Sequence, residues 1–155
     1  KIGSWVFVHA GILPKHILEH RVQEDNTQNV IKGDKWFNSV NNLMRLFMQG
    51  KKTAFDPEIQ KLFLNENGLI WDRDYGSDNP TCTKWDTTKK LLGVDNIVIG
   101  HTIQDFINSK CDNKIWRVDI GMSGLFGTNK SQVLEILDNG EPLPKNKFKA
   151  IRVLE

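Results

Sequence analysis

Two histidines occupy the same kind of place in this chain. In "WVFVHAGI", residues 5–12, an apolar run ends on His9 and turns through Gly11. In "NIVIGHTIQ", residues 96–104, a second apolar run ends on Gly100 and His101. Ligand-binding side chains of open α/β sheets collect just outside the carboxyl ends of the strands. Two neutral imidazoles brought together there suit a divalent transition metal. The bland alternative is that each ring is partly buried and hydrogen-bonded to a loop carbonyl, and on these residues alone both readings stay open.

Two other patterns carry less. "HILEH", residues 16–20, fits the inverted zinc-peptidase pattern H-x-x-E-H on a predicted helix. Only three positions of that pattern are fixed, and no downstream carboxylate ligand stands out, so His16 and His20 read as a solvated helix face. "GMSGL" misses the last glycine of a G-x-S-x-G elbow, which removes Ser123 as a nucleophile.

The elements that must position His9 and His101 follow from pattern and punctuation. "SWVFVHAG" reads as a strand buried on both faces. Pro14 opens a helix through "PKHILEHRVQ", and the polar break "EDNTQN" follows it. In "DKWFNSVNNLMRLFMQG", Trp36, Phe37, Val40, Leu43, Met44 and Phe47 recur at spacings of three and four, an amphipathic helix ending at Gly50. "DPEIQKLFLNENG" is a shorter helix with Asp56 as N-cap, Pro57 in its first turn and Gly68 past its end. "LIWDRDYGSDNPTCT" has no period and is a loop; "KWDTTKKLLG" is a helix and "NIVIG" a strand. "KIWRVDIG", "SQVLEIL" and "FKAIRVL" then form a run of three strands. The order predicts an α/β fold with a mixed or antiparallel finish.

Composition bounds the rest. A chain of 155 residues accommodates one domain with a real core. With 39% hydrophobic and 26% charged residues, net charge +2 and no Lys/Arg block, nothing implies nucleic acid. No apolar run approaches the roughly 20 residues that a membrane span needs. Cys82 and Cys111 stand alone, neither in a C-x-x-C, and read as reduced thiols of a cytoplasmic protein. "KIGSWVFVHAG" is neither a signal peptide nor an initiator start, and a strand pattern so close to Lys1 reads as a segment of something longer.

Four segments, in order, resemble calcineurin-like metallophosphoesterases. "VFVHAGI" is similar to their V-x-V-H-[GA]-G segment and "VIGHT" to their G-H-T. "LIWDRD" is similar to the L-x-W-x-R of the bacterial-type serine/threonine phosphatases, and "WRVDIGMSGLFG" to the D-x-G strand and loop. "LIWDRDYG" and "DIGMSG" bring the resemblance nearest to the Shewanella-like protein phosphatase branch.

The resemblance implies a β-sandwich domain flanked by helices, of which residues 1–155 form the C-terminal half with a mixed sheet. It implies two divalent metal ions (manganese, iron or zinc), one of them held by His9 and His101. Arg73 matches the arginine that grips the substrate phosphate, a task suited to a planar guanidinium. An ion pair with Asp72 or Asp74 is its alternative. Trp71 and Tyr75 are candidates for the pocket wall, and Asp119 and Gly121 for fixing the loop after the D-x-G strand. The implied activity is hydrolysis of phosphomonoesters, on a phosphorylated protein or a small phosphoester. A dinucleoside polyphosphate hydrolase, or a non-catalytic phosphate-binding domain of the same fold, are the alternatives.

The family's D-x-H, G-D-x-x-D-R-G and G-N-H-E motifs are not in these residues; "GDKWF" keeps only the Gly-Asp. The bridging aspartate, the asparagine and the acid histidine are therefore expected N-terminal to residue 1. The chain alone is expected to be inactive.

Overall fold

The computed structural model describes residues 1–24, 27–126, 131–137 and 150–154. Its centre is a four-stranded mixed sheet of β1 (Trp5–Val8), β4 (Asn96–Ile99), β6 (Ile115–Arg117) and β5 (Asn108–Lys110), in the order β1-β4-β6-β5. β1, β4 and β6 are parallel, with Val8 beside Ile99 and Ile99 beside Arg117, while β5 pairs antiparallel to β6. The parallel strands therefore deliver their carboxyl ends, with His9, His101 and Asp119 just beyond, to one edge of the sheet.

Between β1 and β4 the chain runs through α1 (Pro14–Leu18), the hairpin β2 (Arg21–Glu24) and β3 (Thr27–Val30), then α2 (Gly33–Met48), α3 (Pro57–Ile59) and α4 (Cys82–Leu92). The apolar spacing of α2 buries Trp36, Phe37, Val40 and Leu43. Asp34 in its first turn and Arg45 in its last oppose the helix dipole. Asp56 caps α3 by accepting from the backbone of Glu58 and Ile59, and the segment continues as a π-helical turn, Gln60–Leu64. α4 stops at Gly93, whose φ of 63° is the left-handed conformation that glycine takes without a Cβ clash.

One core unites helices and sheet. Val6, Ile97, Ile99 and Ile115 meet Ile17, Trp36, Leu62, Trp85 and Leu92, all shielded from solvent. β7 (Val133–Leu137) and β8 (Ala150–Leu154) pair antiparallel as a separate two-stranded sheet.

The mixed sheet and its helices agree with the fold class read from sequence, and several elements differ. β1 is not covered on both faces: Phe7 is 46% exposed. The helix expected to run on to residue 23 ends at Leu18, and Arg21–Glu24 pairs with Thr27–Val30 instead. An isolated helix of that length is marginal, and a hairpin satisfies the same backbone groups across a partner strand. Of the expected break "EDNTQN", residues 25 and 26 lie outside the described residues. The final strands do not form one run, because β6 joins the central sheet while β7 and β8 pair with each other. β5 escapes the sequence reading, since "NSK" is short and polar.

The cysteines need the firmest correction. Cys82, the first residue of α4, is joined to Cys111 in the turn after β5 by a disulfide, with Cα atoms 5.5 Å apart. Sequence separation concealed the pair. None of the described helices is long and apolar enough to cross a membrane.

Candidate functional site at the carboxyl edge of the sheet

The two strand-end histidines meet despite 92 positions of separation. His9 Nε2 lies 3.2 Å from His101 Nδ1, with ring centroids 5.0 Å apart. Adjacent parallel strands make this possible, since Gly100 N–H donates to the His9 carbonyl at 2.9 Å. His101 has φ of 65°, an uncommon conformation for a residue with a side chain. Its Nε2 is buried and has no hydrogen-bond partner among the described residues.

Burial lowers the pKa of His101, and the nearby positive charge of Arg73 lowers it further. A neutral imidazole is the form that binds metal.

The donor set can be tested against an ion. Two nitrogens each about 2.0–2.1 Å from one tetrahedral ion sit roughly 3.4 Å apart. The observed separation of 3.2 Å is close to that. The fit is partial, because two imidazoles supply half of a four-coordinate sphere. Among the described residues no group of three His, Cys, Asp or Glu side chains completes a metal site.

Arg73 enters from the loop before α4 and donates from Nη1 to the His101 carbonyl at 3.4 Å. The surface-pair alternative does not hold for Asp74, which bonds Lys84 Nζ at 2.5 Å. Burial works to raise the Asp74 carboxyl, but the bonds from Lys84 and Thr81 bring it below its usual value. Trp71 is 47% exposed and presents its ring edge-on to His101, with centroids 5.4 Å apart. Trp71, Asp72, Arg73, Asp74, Lys15 and Lys84 border a groove of about 600 Å³.

Tyr75 is a correction. It is fully buried, packs edge-on against Trp85 and points its hydroxyl at Thr88, so it belongs to the core and not to the pocket. Burial pushes its phenol well above the ordinary range. Asp119 Oδ1 accepts from Gly121 N–H at 3.0 Å, and Gly121 has φ of 62°.

The reading of His16 and His20 as a solvated helix face is corrected as well. Both are buried, not solvated. His16 Nδ1 accepts from Leu13 N–H at 3.0 Å, and its Nε2 pairs with the Asn67 carbonyl at 2.7 Å. His20 Nε2 bonds Ser39 Oγ at 2.9 Å. Their nitrogens are spent on separate structural partners.

Sequence reading missed Thr102, Gln104 and Arg117, which contact the Gly76–Ser77 backbone that follows Arg73. Arg117 is a charge in the otherwise apolar strand "IWRV", and that was the one available signal.

No family model matches the chain. An uncharacterised protein of Acanthamoeba polyphaga mimivirus is 31% identical over 88% of this chain and 61% of its own length. Shewanella-like protein phosphatase 2 of Arabidopsis thaliana is 30% identical over 87% of this chain and 31% of its own length. The chain thus spans between about a third and three fifths of these relatives. Among solved structures, a cold-active protein-tyrosine phosphatase of a psychrophilic Shewanella species superposes with a TM-score of 0.58. That match is 22% identical over 77% of this chain and 32% of that one, and it establishes a shared fold.

Proposed function

We propose that this chain is part of a metal-dependent phosphoesterase that hydrolyses phosphomonoesters, with phosphorylated proteins as its substrates. The carrying observation is the 3.2 Å approach of His9 and His101 with Arg73 beside them. The relative and the structural neighbour that bear phosphatase names support the same reading.

In this reading His9 and His101 hold one of two divalent ions (manganese, iron or zinc), and residues outside this chain complete the pair. Bound there, the ions would offset phosphoryl charge and favour formation of the attacking nucleophile at neutral pH. Arg73 binds the phosphoryl oxygens with a preorganised, permanently charged fork. Trp71 forms the wall beside His101. Asp119 holds the following loop through Gly121.

The disulfide bears on where this happens. Such bonds persist in oxidising compartments, so Cys82–Cys111 favours one of those over the cytoplasm expected from two reduced thiols. Maleimide labelling of the unfolded native protein before and after reduction reads this directly.

The functional test is reconstitution. Purified residues 1–155 with manganese or zinc should show no p-nitrophenyl phosphate hydrolysis above buffer. Supplying the N-terminal portion of the full-length protein, in the same chain or as a second one, should produce turnover. Metal-dependent hydrolysis by residues 1–155 alone would move the missing ligands to Asp72, Asp74 or Asp119. Phosphate binding without hydrolysis by the completed protein would make this a binding module.

A further inference from the structure

We infer that Arg117 is a positioning residue: it fixes the loop carrying Arg73 against the loop carrying His101. The inference rests on the proposed role of Arg73 and goes beyond it.

Arg117 closes β6 and is 4% exposed. A guanidinium taken out of water must satisfy its donors. Here Nη1 donates to the carbonyls of Ser77 at 2.7 Å and Gly76 at 3.1 Å, and Nε donates to Asn108 Oδ1 on β5 at 2.6 Å. Among the described residues it makes no ion pair with a carboxylate. Its charge is spent on backbone carbonyls three and four positions after Arg73.

The His101 loop grips the same carbonyl. Gln104 Nε2 donates to Gly76 O at 3.1 Å and to Thr102 O at 2.9 Å, and its Oε1 accepts from Asn108 Nδ2 at 3.3 Å. A Cβ at Gly76 would fall 2.3 Å from Thr102 Oγ1, so backbone and side chain are in direct contact there. The two loops, together with β5 and β6, share one bracket, and Arg117 is its charged member. Charge-assisted bonds are about twice as strong as neutral ones, so Arg117 holds more of this bracket than Gln104 does.

The consequence concerns phosphate geometry. The hydrogen bond that the Arg73 guanidinium donates to His101 O is long, at 3.4 Å. The place of its guanidinium therefore depends on the backbone beneath it. A misplacement of about 1 Å at a reacting centre costs up to about 10²-fold in rate.

The experiment compares Arg117→Met, Arg117→Lys and Gln104→Leu in the full-length protein with bound manganese. The first readout is amide exchange of residues 73–77 and 101–104, which needs no catalysis. Arg117→Met should speed exchange there at least tenfold, Gln104→Leu less, and Arg117→Lys least, because a lysine keeps the charge and can still meet a carbonyl. The second is p-nitrophenyl phosphate turnover with inorganic phosphate inhibition. Arg117→Met should weaken phosphate inhibition and kcat/KM by about 10- to 100-fold, with bound metal unchanged. In an Arg73→Ala background it should add nothing. Unchanged exchange in Arg117→Met overturns the inference whether or not the wild type hydrolyses the ester. So does an additive effect in the Arg73→Ala background. A wild type that shows the exchange pattern but neither binds phosphate nor turns over would instead overturn the proposed function.

Discussion

Two pairs of histidines in this molecule meet opposite fates. His16 and His20 stand four residues apart on one chain segment, the spacing that lets two side chains share an ion. Each is instead committed elsewhere, His16 to Leu13 N–H and the Asn67 carbonyl, His20 to Ser39. His9 and His101, 92 positions apart, face each other at 3.2 Å. Proximity along a chain does not leave nitrogens free. At the strand ends His9 Nε2 and His101 Nδ1 have each other as partner, because a side chain beyond the last ladder bond has only loop atoms to compete for it.

The comparison breaks most visibly under substitution of the distant pair. His9→Ala and His101→Ala should each cut divalent-ion affinity by at least the roughly 10- to 100-fold that loss of a supporting partner costs. Turnover of the full-length protein should fall to background, with little change in melting temperature. Isothermal titration and metal analysis read the first effect. Retained metal in both variants would put the pair back among ordinary hydrogen-bonded histidines.

Arg73→Ala comes next. Removing a preorganised charge from the phosphoryl oxygens should lower kcat by about 10²–10³-fold and leave metal content alone. Unaltered kinetics would make Arg73 a structural contact of the His101 carbonyl.

The adjacent pair should behave in the reverse sense. His16→Gln combined with His20→Gln should leave metal stoichiometry and turnover intact. It should cost about 1–3 kcal/mol of stability, as buried partners lose their bonds, read by chemical denaturation. Loss of a bound metal in that variant would revive the peptidase pattern.

The smallest effect is a pH dependence from the same two residues. Burial lowers both pKa values from 6.5, with the Asn67 carbonyl opposing this at His16 and Glu58 opposing it at His20. Burial in the folded state disfavours their protonation, while the unfolded chain takes up protons near 6.5. Their stabilisation is therefore complete above pH 6.5 and declines as the pH falls through the lowered folded values. Denaturation midpoints measured from neutral to mildly acidic pH should show this slope, flattened in the double Gln variant.

Legibility from sequence tracked locality. α2 was readable because its apolar residues recur at helical spacing, and α4 and Asp56 because Gly93 and the cap act on neighbouring backbone. The antiparallel pairing of Arg21–Glu24 with Thr27–Val30 was not, since its bonds run across strands whose own pattern is weak. Tyr75 read as a pocket residue from its place beside Arg73. One residue in a tight turn is enough to send a side chain to the opposite side, and Tyr75 went to Trp85.

The order of strand-like and helical segments, and the two apolar runs that each end on a histidine, were set by the sequence itself, because they depend on residue type and neighbours within a turn or a strand. Which distant residues meet was decided by tertiary structure alone. The parallel pairing of β1 with β4 brought His9 to His101. The docking of α4 against the β5–β6 turn joined Cys82 to Cys111. The burial of Arg117 turned a lone charge in an apolar strand into a clamp on two carbonyls. Strand register and helix docking depend on burying one common core, and no local pattern records how its pieces are arranged.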